Sequence, residues 1–418
     1  MRIALLTNEY PPHVYGGAGV HVEYLSRELA RIESGAHAVD VFCFGEQHET
    51  QRNLRVRGVA PALRFTAQDP RHAKLLDALV RDLAMVGAVE SPDIVHCHTW
   101  YAHLAGCLAR PLTGAKLVLT THSLEPHRPW KVEQLGTAYH TTAWIERTAY
   151  ENADGVIAVS RAMKEDVETL YGVPPKRVRV IHNGIDPEEY RPTPDPATLR
   201  RLGIDPEMPI VLFVGRITRQ KGILHLVRAI RHLQPGIQMV LCAGAPDTPA
   251  IAEEMTLLVA EAKREAAAEI IWIPEMLPRQ DLISLYTHAA VFVCPSVYEP
   301  FGIINIEAMA CETAVVATAV GGIPEIVVPG ETGLLIAFEP ERDGLAEPRD
   351  AEGFSRSLAA GINELIGDPA RAAAMGRAGR ERVLAEFSWL RIAEMTVEFY
   401  RELIGAELRP TAPSVRQP

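Results

Sequence analysis

Two pairs of charged residues in the second half of the chain have the types and spacing to do chemistry. The first pair, Arg216 and Lys221, stands five positions apart in GRITRQKG, between an apolar strand and a helix. Arginine can bind phosphate oxygens through two N–H groups and lysine adds a mobile positive charge, so the pair could bind a diphosphate and stabilise it as it leaves. A solvated loop with ordinary surface charges is the alternative, and the local pattern leaves both open.

The second pair, Glu299 and Glu307, lies in CPSVYEPFGIINIEAMACE, from Cys294 to Glu312. Glu299 is in the loop after a buried strand, and Glu307 is about two turns into the following helix. Positions eight apart on a helix differ by about 80° around its axis, so both carboxylates could line one cleft and bind sugar or ribose hydroxyl groups. Alternatively, Glu307 lies on the buried side of the helix and bonds to a neighbouring group.

Two glycine-containing loops could bind an anion through main-chain N–H groups. NEYPPHVYGGAG contains Gly16 and Gly17, and VGGIPEI contains Gly321 and Gly322. N–H groups uncovered by glycine at a helix N-terminus attract phosphate, whereas a plain loop or turn is the alternative in each case. A dinucleotide fingerprint does not fit the first loop, because its glycines do not follow the strand directly and Val22 replaces the third glycine.

Four histidines are candidates for chemistry. His122 directly follows the apolar run KLVLTT, and the local sequence leaves open whether it acts on a substrate or only ends a strand. His96, His98 and His103 lie close together in DIVHCHTWYAH and suggest a metal site, but no acidic partner completes a known ligand set. We interpret these three as core or cleft histidines and predict no metal site.

A repeated alternation of elements must position these residues. Short runs rich in Val and Ile, typical of buried parallel strands, alternate with helix-period stretches such as Val20–Ile32 and His72–Val86. A segment rich in proline and charge, 184–209, reads as a linker, and the same alternation restarts after it. The pattern predicts an α/β protein with two doubly wound, Rossmann-like domains that face each other across a cleft.

The predicted boundaries follow from this pattern. We assign an N-terminal domain to 1–190, on the acceptor side, and a C-terminal domain to 191–388, on the donor side. A helix at 389–408 has apolar positions at helical spacing and is expected to pack back on the N-terminal domain. Residues 409–418 are expected to form a disordered tail.

Composition excludes some functions. The 418 residues are 47% hydrophobic and 23% charged, as in globular proteins, and the net charge of −11 gives no support for nucleic-acid binding. No apolar run approaches the ~20 residues that span a bilayer, and no signal-peptide pattern is evident. The six cysteines contain no C-x-x-C pair and read as reduced thiols, so we predict a cytoplasmic location.

One basic cluster is formed by the arginines between Arg52 and Arg64. It could meet an anionic membrane or an anionic acceptor, but a solvated face is the preferred interpretation.

The segments YGGAG, TTHS, GRITRQKG and EPFGIINIEAMAC occur in family order and at family-like spacing. Over nearly its whole length the chain resembles the retaining, nucleotide-sugar-dependent glycosyltransferases of the GT-B fold. NEYPPHVYGGAGVHVEYL, LCAGAPDTP and VCPSVYEPFGIINIEAMAC look particularly like the bacterial glycogen-synthase branch that makes α-maltose-1-phosphate from ADP-glucose and glucose-1-phosphate.

The resemblance implies a role for each motif residue. Arg216 and Lys221 would bind the donor diphosphate and take part in catalysis. Glu299 would contact the donor glucose, and Glu307 would hold the ribose. His122 would orient the transferred sugar and stabilise its developing positive charge. Glycines of three loops would line the donor site: Gly16, Gly17, Gly302, Gly321 and Gly322.

The expected enzyme is a retaining, metal-independent hexosyltransferase of glycogen biosynthesis without a cofactor. It would move glucose from a nucleotide diphosphate donor, ADP-glucose, to glucose-1-phosphate, to an α-1,4-glucan, or to both. Its partners would be the nucleotide sugar and the sugar-phosphate or glucan acceptor, without nucleic acid or stable membrane insertion, and a homodimer is compatible with the sequence. Tyr15 departs from the family pattern, because ordinary starch and glycogen synthases carry lysine there, and this disfavours simple glucan elongation.

Other functions share the fold. A lipid-acceptor or sucrose-phosphate-type glycosyltransferase and a sugar-nucleotide epimerase are the alternatives. A non-catalytic sensor of sugar nucleotides is disfavoured by the complete set of Arg216, Lys221, Glu299 and Glu307.

Overall fold

The computed structural model describes residues 1–14, 16–60, 63, 65–341 and 347–405. Its backbone contacts divide the chain into two compact units. Unit 1 contains Met1–Glu125, Leu135–His182 and residues 389–405, and unit 2 contains Pro126–Gln134 and Asn183–Ser388. The chain thus passes through unit 2 at Pro126–Gln134 and enters it again at Asn183, whereas the sequence predicts one boundary at residue 190. The tail expected at 409–418 lies outside the described residues.

Unit 1 is built on an eight-stranded sheet. Its strands are β1 (Arg2–Leu6), β2 (Ala38–Phe44), β3 (His48–Gln51), β4 (Leu54–Val59), β5 (Ile94–His98), β6 (Lys116–Thr121), β7 (Gly155–Ala158) and β8 (Val178–Val180). They lie in the order β3-β4-β2-β1-β5-β6-β7-β8. Every neighbouring pair is parallel except β3 and β4, which form an antiparallel hairpin at the edge.

The helices of unit 1 cover this sheet. They are α1 (Gly17–Gly35), α2 (Ala73–Ala88), α3 (His103–Thr113), α5 (Ala138–Asn152), α6 (Arg161–Tyr171) and α15 (Trp389–Gly405). The short helix α4 (Lys131–Leu135) belongs to unit 2 except for its last residue. Helix α15 packs on α1, and the rings of Tyr24 and Trp389 stack at 5.5 Å. The Tyr400 hydroxyl of α15 is hydrogen-bonded to His96 of β5 at 2.6 Å. Unit 1 is therefore completed by a helix that follows unit 2 in the chain.

Strand β4 of the edge hairpin lies within the segment interpreted as a basic cluster, Arg52 to Arg64. Arg55 and Arg57 stand on β4, and both pair with Asp40 of β2, at 2.6 Å and 3.9 Å. Their charges are therefore partly balanced within the sheet, which favours the solvated-face interpretation. Arg64 lies outside the described residues.

Unit 2 contains a six-stranded sheet in which all neighbouring strands are parallel. Its strands are β9 (Ile210–Arg216), β10 (Gln238–Gly244), β11 (Glu269–Ile273), β12 (Val291–Cys294), β13 (Ala314–Thr318) and β14 (Gly333–Ile336). The order β11-β10-β9-β12-β13-β14 is that of a dinucleotide-binding Rossmann sheet, read outward in both directions from β9. The repeated strand-helix alternation of the sequence thus produced two α/β units.

The helices of unit 2 include one within the segment interpreted as a linker. They are α7 (Pro196–Arg201), α8 (Ile223–Ala229), α9 (Pro249–Glu265), α10 (Arg279–His288), α11 (Ile303–Ala310), α12 (Ile323–Ile326), α13 (Ala351–Ile366) and α14 (Pro369–Glu386). The linker interpretation of 184–209 was wrong for its central part, because α7 packs on α10 there and Arg201 pairs with Asp281 at 2.7 Å. Asp195 caps α7, and a proline in the first turn is compatible with a helix.

Across the described ranges, each helix is too short or too polar to cross a membrane.

Candidate active site

In unit 2 the strand order reverses between β9 and β12, and the loops after these strands carry the charged residues singled out by the sequence. Strand β9 ends at Arg216, and a single 3-10 turn, Arg219–Lys221, follows it. Strand β12 ends at Cys294, shortly before Glu299. Because ligands of doubly wound sheets bind outside the carboxyl ends of the strands at such a reversal, the fold places these three residues where a ligand is expected.

Lys221 and Glu299 are in direct contact. The Lys221 Nζ donates to Glu299 Oε2 at 2.6 Å, and the Ser296 hydroxyl donates to the same oxygen at 3.0 Å. The Glu299 side chain is 8% exposed and that of Lys221 is 19% exposed. The loops therefore fix a cation beside a carboxylate, and together these groups can bind the anionic and hydroxyl parts of a sugar phosphate.

Arg216 has a different partner. Its Nη1 donates to Asp247 Oδ1 at 2.9 Å, and its side chain is 27% exposed. The turn between Arg216 and Lys221 is fixed by Thr218, whose hydroxyl accepts from the Lys221 main-chain N–H at 3.2 Å. The structure thus brings Lys221 onto Glu299 and holds Arg216 on Asp247, a residue not predicted from the sequence.

The glycines of the β13–α12 loop bring that loop against Glu299. The Gly322 N–H donates to the Glu299 carbonyl at 3.0 Å. Gly321 has φ of 53°, and a Cβ there would lie 1.9 Å from the same carbonyl oxygen. Gly302, just before α11, has φ of 109°. Any residue with a side chain would therefore be strained at Gly321 or Gly302. The contacts of these glycines with a donor stay predictions.

Replacement of Gly321 by alanine is expected to reduce both stability and activity. The new methyl group would collide with the Glu299 carbonyl and displace the loop. Gly330→Ala is the matched control, because Gly330 also has positive φ, 79°, but a Cβ there meets nothing within 4 Å. Denaturant unfolding should show Gly321→Ala less stable than Gly330→Ala by about 2 kcal/mol, and its kcat should be lower by at least about tenfold. Equal effects of the two substitutions would contradict this account.

Glu307 lies in a buried environment on α11. Its side-chain carboxylate accepts from the Tyr286 hydroxyl at 2.9 Å and from the Tyr190 hydroxyl, and the residue is 8% exposed. Burial raises the pKa of Glu307, although both tyrosine hydrogen bonds act in the opposite direction. Its partners are thus hydroxyl groups, which fits the expectation that a buried carboxylate is satisfied. Its contact with a ribose stays a prediction.

In unit 1 the strand order reverses between β1 and β5, and the first glycine loop follows β1. The Gly16 N–H donates to Glu9 Oε2 at 2.9 Å, and α1 begins at Gly17. The Thr99 hydroxyl, just after β5, donates to Asn8 Oδ1 at 2.9 Å. Asn8, Glu9 and Thr99 are not predicted from the sequence, where the only signal is their position directly after apolar strands. Tyr15 lies outside the described residues.

His122 lies beside two other histidines at the same edge of the unit 1 sheet. It follows β6, whereas His98 ends β5 and His21 lies on α1. His98 Nδ1 and His122 Nε2 are hydrogen-bonded at 3.0 Å. The His21 ring centroid is 4.8 Å from that of His122 and 5.3 Å from that of His98. We refer to His21, His98 and His122 as the histidine trio. His21 is not predicted from the sequence.

Burial keeps His98 and His122, the two members of the trio singled out by the sequence, uncharged. Desolvation, reinforced by neighbouring imidazoles, holds the pKa of His98 and of His122 well below the usual value. Both rings are therefore neutral at pH 7 and can donate and accept one hydrogen bond each.

His96 and His103 have other surroundings. The two ring nitrogens of His96 are hydrogen-bonded to Tyr400 and to the Thr120 hydroxyl, the latter at 2.7 Å. His103 packs against the ring of Tyr150, and burial lowers its pKa to about 3. The His96 ring lies beside that of His98, with centroids 4.2 Å apart, but its nitrogens bond outside the trio, whereas His98 bonds to His122.

Comparison with known proteins identifies the family. Residues 15–189 match the model described as Glycosyltransferase Family 4, and residues 195–382 match the one described as Glycosyl transferases group 1. The α-maltose-1-phosphate synthase of Mycolicibacterium smegmatis is 49% identical over 96% of this chain and 100% of its own length. The chain therefore belongs to the glycosyltransferase family that includes this α-maltose-1-phosphate synthase.

The chain is also similar to a glycogen synthase and to a sucrose-phosphate synthase. The glycogen synthase of Mycobacterium tuberculosis is 30% identical over 98% of this chain and 97% of its own. The solved structure of sucrose-phosphate synthase from Thermosynechococcus elongatus has a TM-score of 0.76 and 28% identity, and covers 97% of this chain and 99% of its own. The predicted α/β fold with two Rossmann-like units of the GT-B type is confirmed. The roles of individual residues in this glycosyltransferase stay predictions.

Proposed function

We propose that the protein transfers glucose from ADP-glucose to glucose-1-phosphate and forms α-maltose-1-phosphate. The observation that carries this proposal is the 49% identity to an α-maltose-1-phosphate synthase over the full length of that relative. Elongation of an α-1,4-glucan is the second candidate activity, because a glycogen synthase is 30% identical over nearly the whole chain.

The charged residues of unit 2 would bind the donor. The positive charges of Lys221 and Arg216 would neutralise part of the negative charge of the diphosphate, in place of a divalent metal ion. They would also stabilise the diphosphate as it leaves. Glu299 would accept hydrogen bonds from the glucose hydroxyl groups. Support comes from the position of Arg216 at the end of β9, and of Lys221 and Glu299 just beyond β9 and β12, at the strand reversal of a Rossmann sheet.

The remaining predicted residues would complete recognition of the donor. Glu307 would accept from the ribose hydroxyl groups, with Tyr286 fixing its orientation. Main-chain groups of the glycine loops would approach the diphosphate and the sugar: Gly16, Gly17, Gly302, Gly321 and Gly322. An enzyme of this kind needs no resident cofactor, since the nucleotide is part of the substrate.

Transfer with retention would take place on one face of the sugar. The bond between glucose C1 and the diphosphate oxygen breaks, and its electrons leave with ADP. The acceptor hydroxyl oxygen forms the new bond to C1, and its proton passes to the departing phosphate oxygen. His122 would orient the sugar, and its depressed pKa suits this role because a neutral imidazole does not repel the positive charge that develops at C1.

We also place the reaction in the cytoplasm. Support comes from the six cysteines, all of which are free thiols, as is typical of a reducing compartment.

Product analysis tests the proposed function. The protein is incubated with ADP-glucose and either glucose-1-phosphate or glycogen, and the products are separated and identified by mass spectrometry and NMR. We expect a phosphorylated disaccharide with an α-linkage from glucose-1-phosphate, at a rate well above that of glycogen elongation. Elongated glucan alone would favour the second activity. Absence of transfer from both ADP-glucose and UDP-glucose would overturn the assignment as a glucosyltransferase.

A further inference from the structure

We propose that the histidine trio is a binding site for a divalent transition-metal ion of the zinc class, and that the bound ion inhibits the enzyme. Histidine, cysteine, aspartate and glutamate side chains can bind such an ion. Among the residues that the structure describes, His21, His98 and His122 are the one group of at least three of them whose ligand atoms all lie within 4.8 Å of one another. The inhibitory part of this inference rests on the proposed function, whereas the binding part does not.

The distances fit imidazole coordination. Zinc binds histidine nitrogen at about 2.0–2.1 Å, so two nitrogens of a tetrahedral site are about 3.3 Å apart. His98 Nδ1 and His122 Nε2 are already 3.0 Å apart and share one proton in a hydrogen bond. A metal ion between them would replace that proton. His21 would become the third ligand after a small movement of its ring, and water would be the fourth.

The chemistry of the ligands selects the metal. Three imidazoles without a carboxylate favour zinc, copper, nickel and cobalt, whereas magnesium prefers oxygen ligands. His21 and His98 are 2% and 0% exposed, and His122 is only half-buried, so an ion would enter beside His122. Neighbouring His96 is not a competing ligand, because both of its ring nitrogens are hydrogen-bonded to Tyr400 and Thr120.

Binding at the trio would oppose the proposed reaction. The ion would hold the His122 ring, which is proposed to orient the sugar. It would also add two positive charges next to a sugar that develops positive charge at C1, and like charges repel strongly in a partly buried site. The metal is therefore expected to be an inhibitor and not a cofactor.

The test measures binding and activity separately on the full chain. Calorimetric titration with ZnCl2 in a chelator-free buffer should show one site with micromolar affinity, and CoCl2 should give the visible absorption bands of a histidine-bound ion. Inhibition of glucosyl transfer should follow the same zinc concentrations and be reversed by EDTA. Magnesium chloride at millimolar concentration should have neither effect.

His21→Asn is the decisive variant. It should weaken zinc binding at least tenfold and raise the inhibitory zinc concentration by the same factor, relative to its own metal-free rate. His140→Asn is the control, because His140 is exposed on α5 and outside the trio. If His21→Asn fails to fold, His122→Asn should show the same loss in the binding measurement.

Three results would overturn the inference or part of it. Absence of stoichiometric zinc binding, or binding unchanged in His21→Asn and His122→Asn, would overturn the site. Binding at the trio without loss of transfer rate would overturn inhibition. Failure of the metal-free protein to transfer glucose would instead overturn the proposed function, and the zinc titration without substrates would still decide whether the trio binds metal.

Discussion

Substitution of Lys221 by alanine is expected to lower kcat/KM for glucosyl transfer by about three orders of magnitude. Removal of one group that stabilises developing charge typically costs about 10²–10³ in rate. Here the substitution also leaves the nearly buried Glu299 without the ammonium group that lies 2.6 Å away. Steady-state kinetics with varied ADP-glucose and saturating glucose-1-phosphate would measure the loss.

A double substitution separates catalysis from stability. Lys221→Ala alone leaves an unpaired carboxylate, which costs about 3–5 kcal/mol when it is buried. Lys221→Ala combined with Glu299→Gln removes that charge, so much of the thermal stability should return while activity stays low. Lys164→Ala is the matched control, because Lys164 forms a surface pair with Glu168 at 3.8 Å and such pairs contribute little. Activity of Lys221→Ala within tenfold of the parent would contradict the proposed role.

Substitution of His122 by alanine is expected to lower kcat by about 10²–10³. The loss should appear mainly in kcat, because His122 is proposed to act on the sugar as charge develops and not on the nucleotide. Steady-state kinetics with ADP-glucose, together with the affinity for ADP measured by calorimetry, would distinguish a loss in the chemical step from a loss in nucleotide binding.

The exposed residue His140 supplies the control for this experiment. His140→Ala should keep the parental rate and affinity. Because His122 contacts His98 and His21, thermal unfolding of His122→Ala must also be compared with the parent. Weaker ADP binding with unchanged kcat would contradict a role in the chemical step.

Much of the fold could be predicted because buried parallel strands are short apolar runs. The hairpin of β3 and β4 was missed, since the four residues of His48–Gln51 are all exposed and polar. In β4, Leu54 and Val56 are buried and alternate with arginines, but the arginines of this period-2 pattern favour a basic cluster over a strand. Helix α7 was missed because its proline suggested a break, although a proline is tolerated in the first turn.

The candidate site was predictable only within each motif. The sequence placed Lys221 and Glu299 in loops after two strands, and the sheet order then brought them together. Their contact joins positions far apart in the chain, and no local spacing encodes such a pairing. His21 gave no signal, because a histidine within an amphipathic helix looks like any other buried polar residue.

The packing of α15 on α1 has a consequence for biosynthesis. Residues up to His182 leave the ribosome before any of Asn183–Ser388, and α15 emerges only after that whole stretch. At about 5–20 residues per second, the delay is on the order of ten seconds or more. During this time the face of α1 that α15 covers, including the ring of Tyr24, is open to chaperones. The unit that is begun first during translation is therefore the one that finishes folding last.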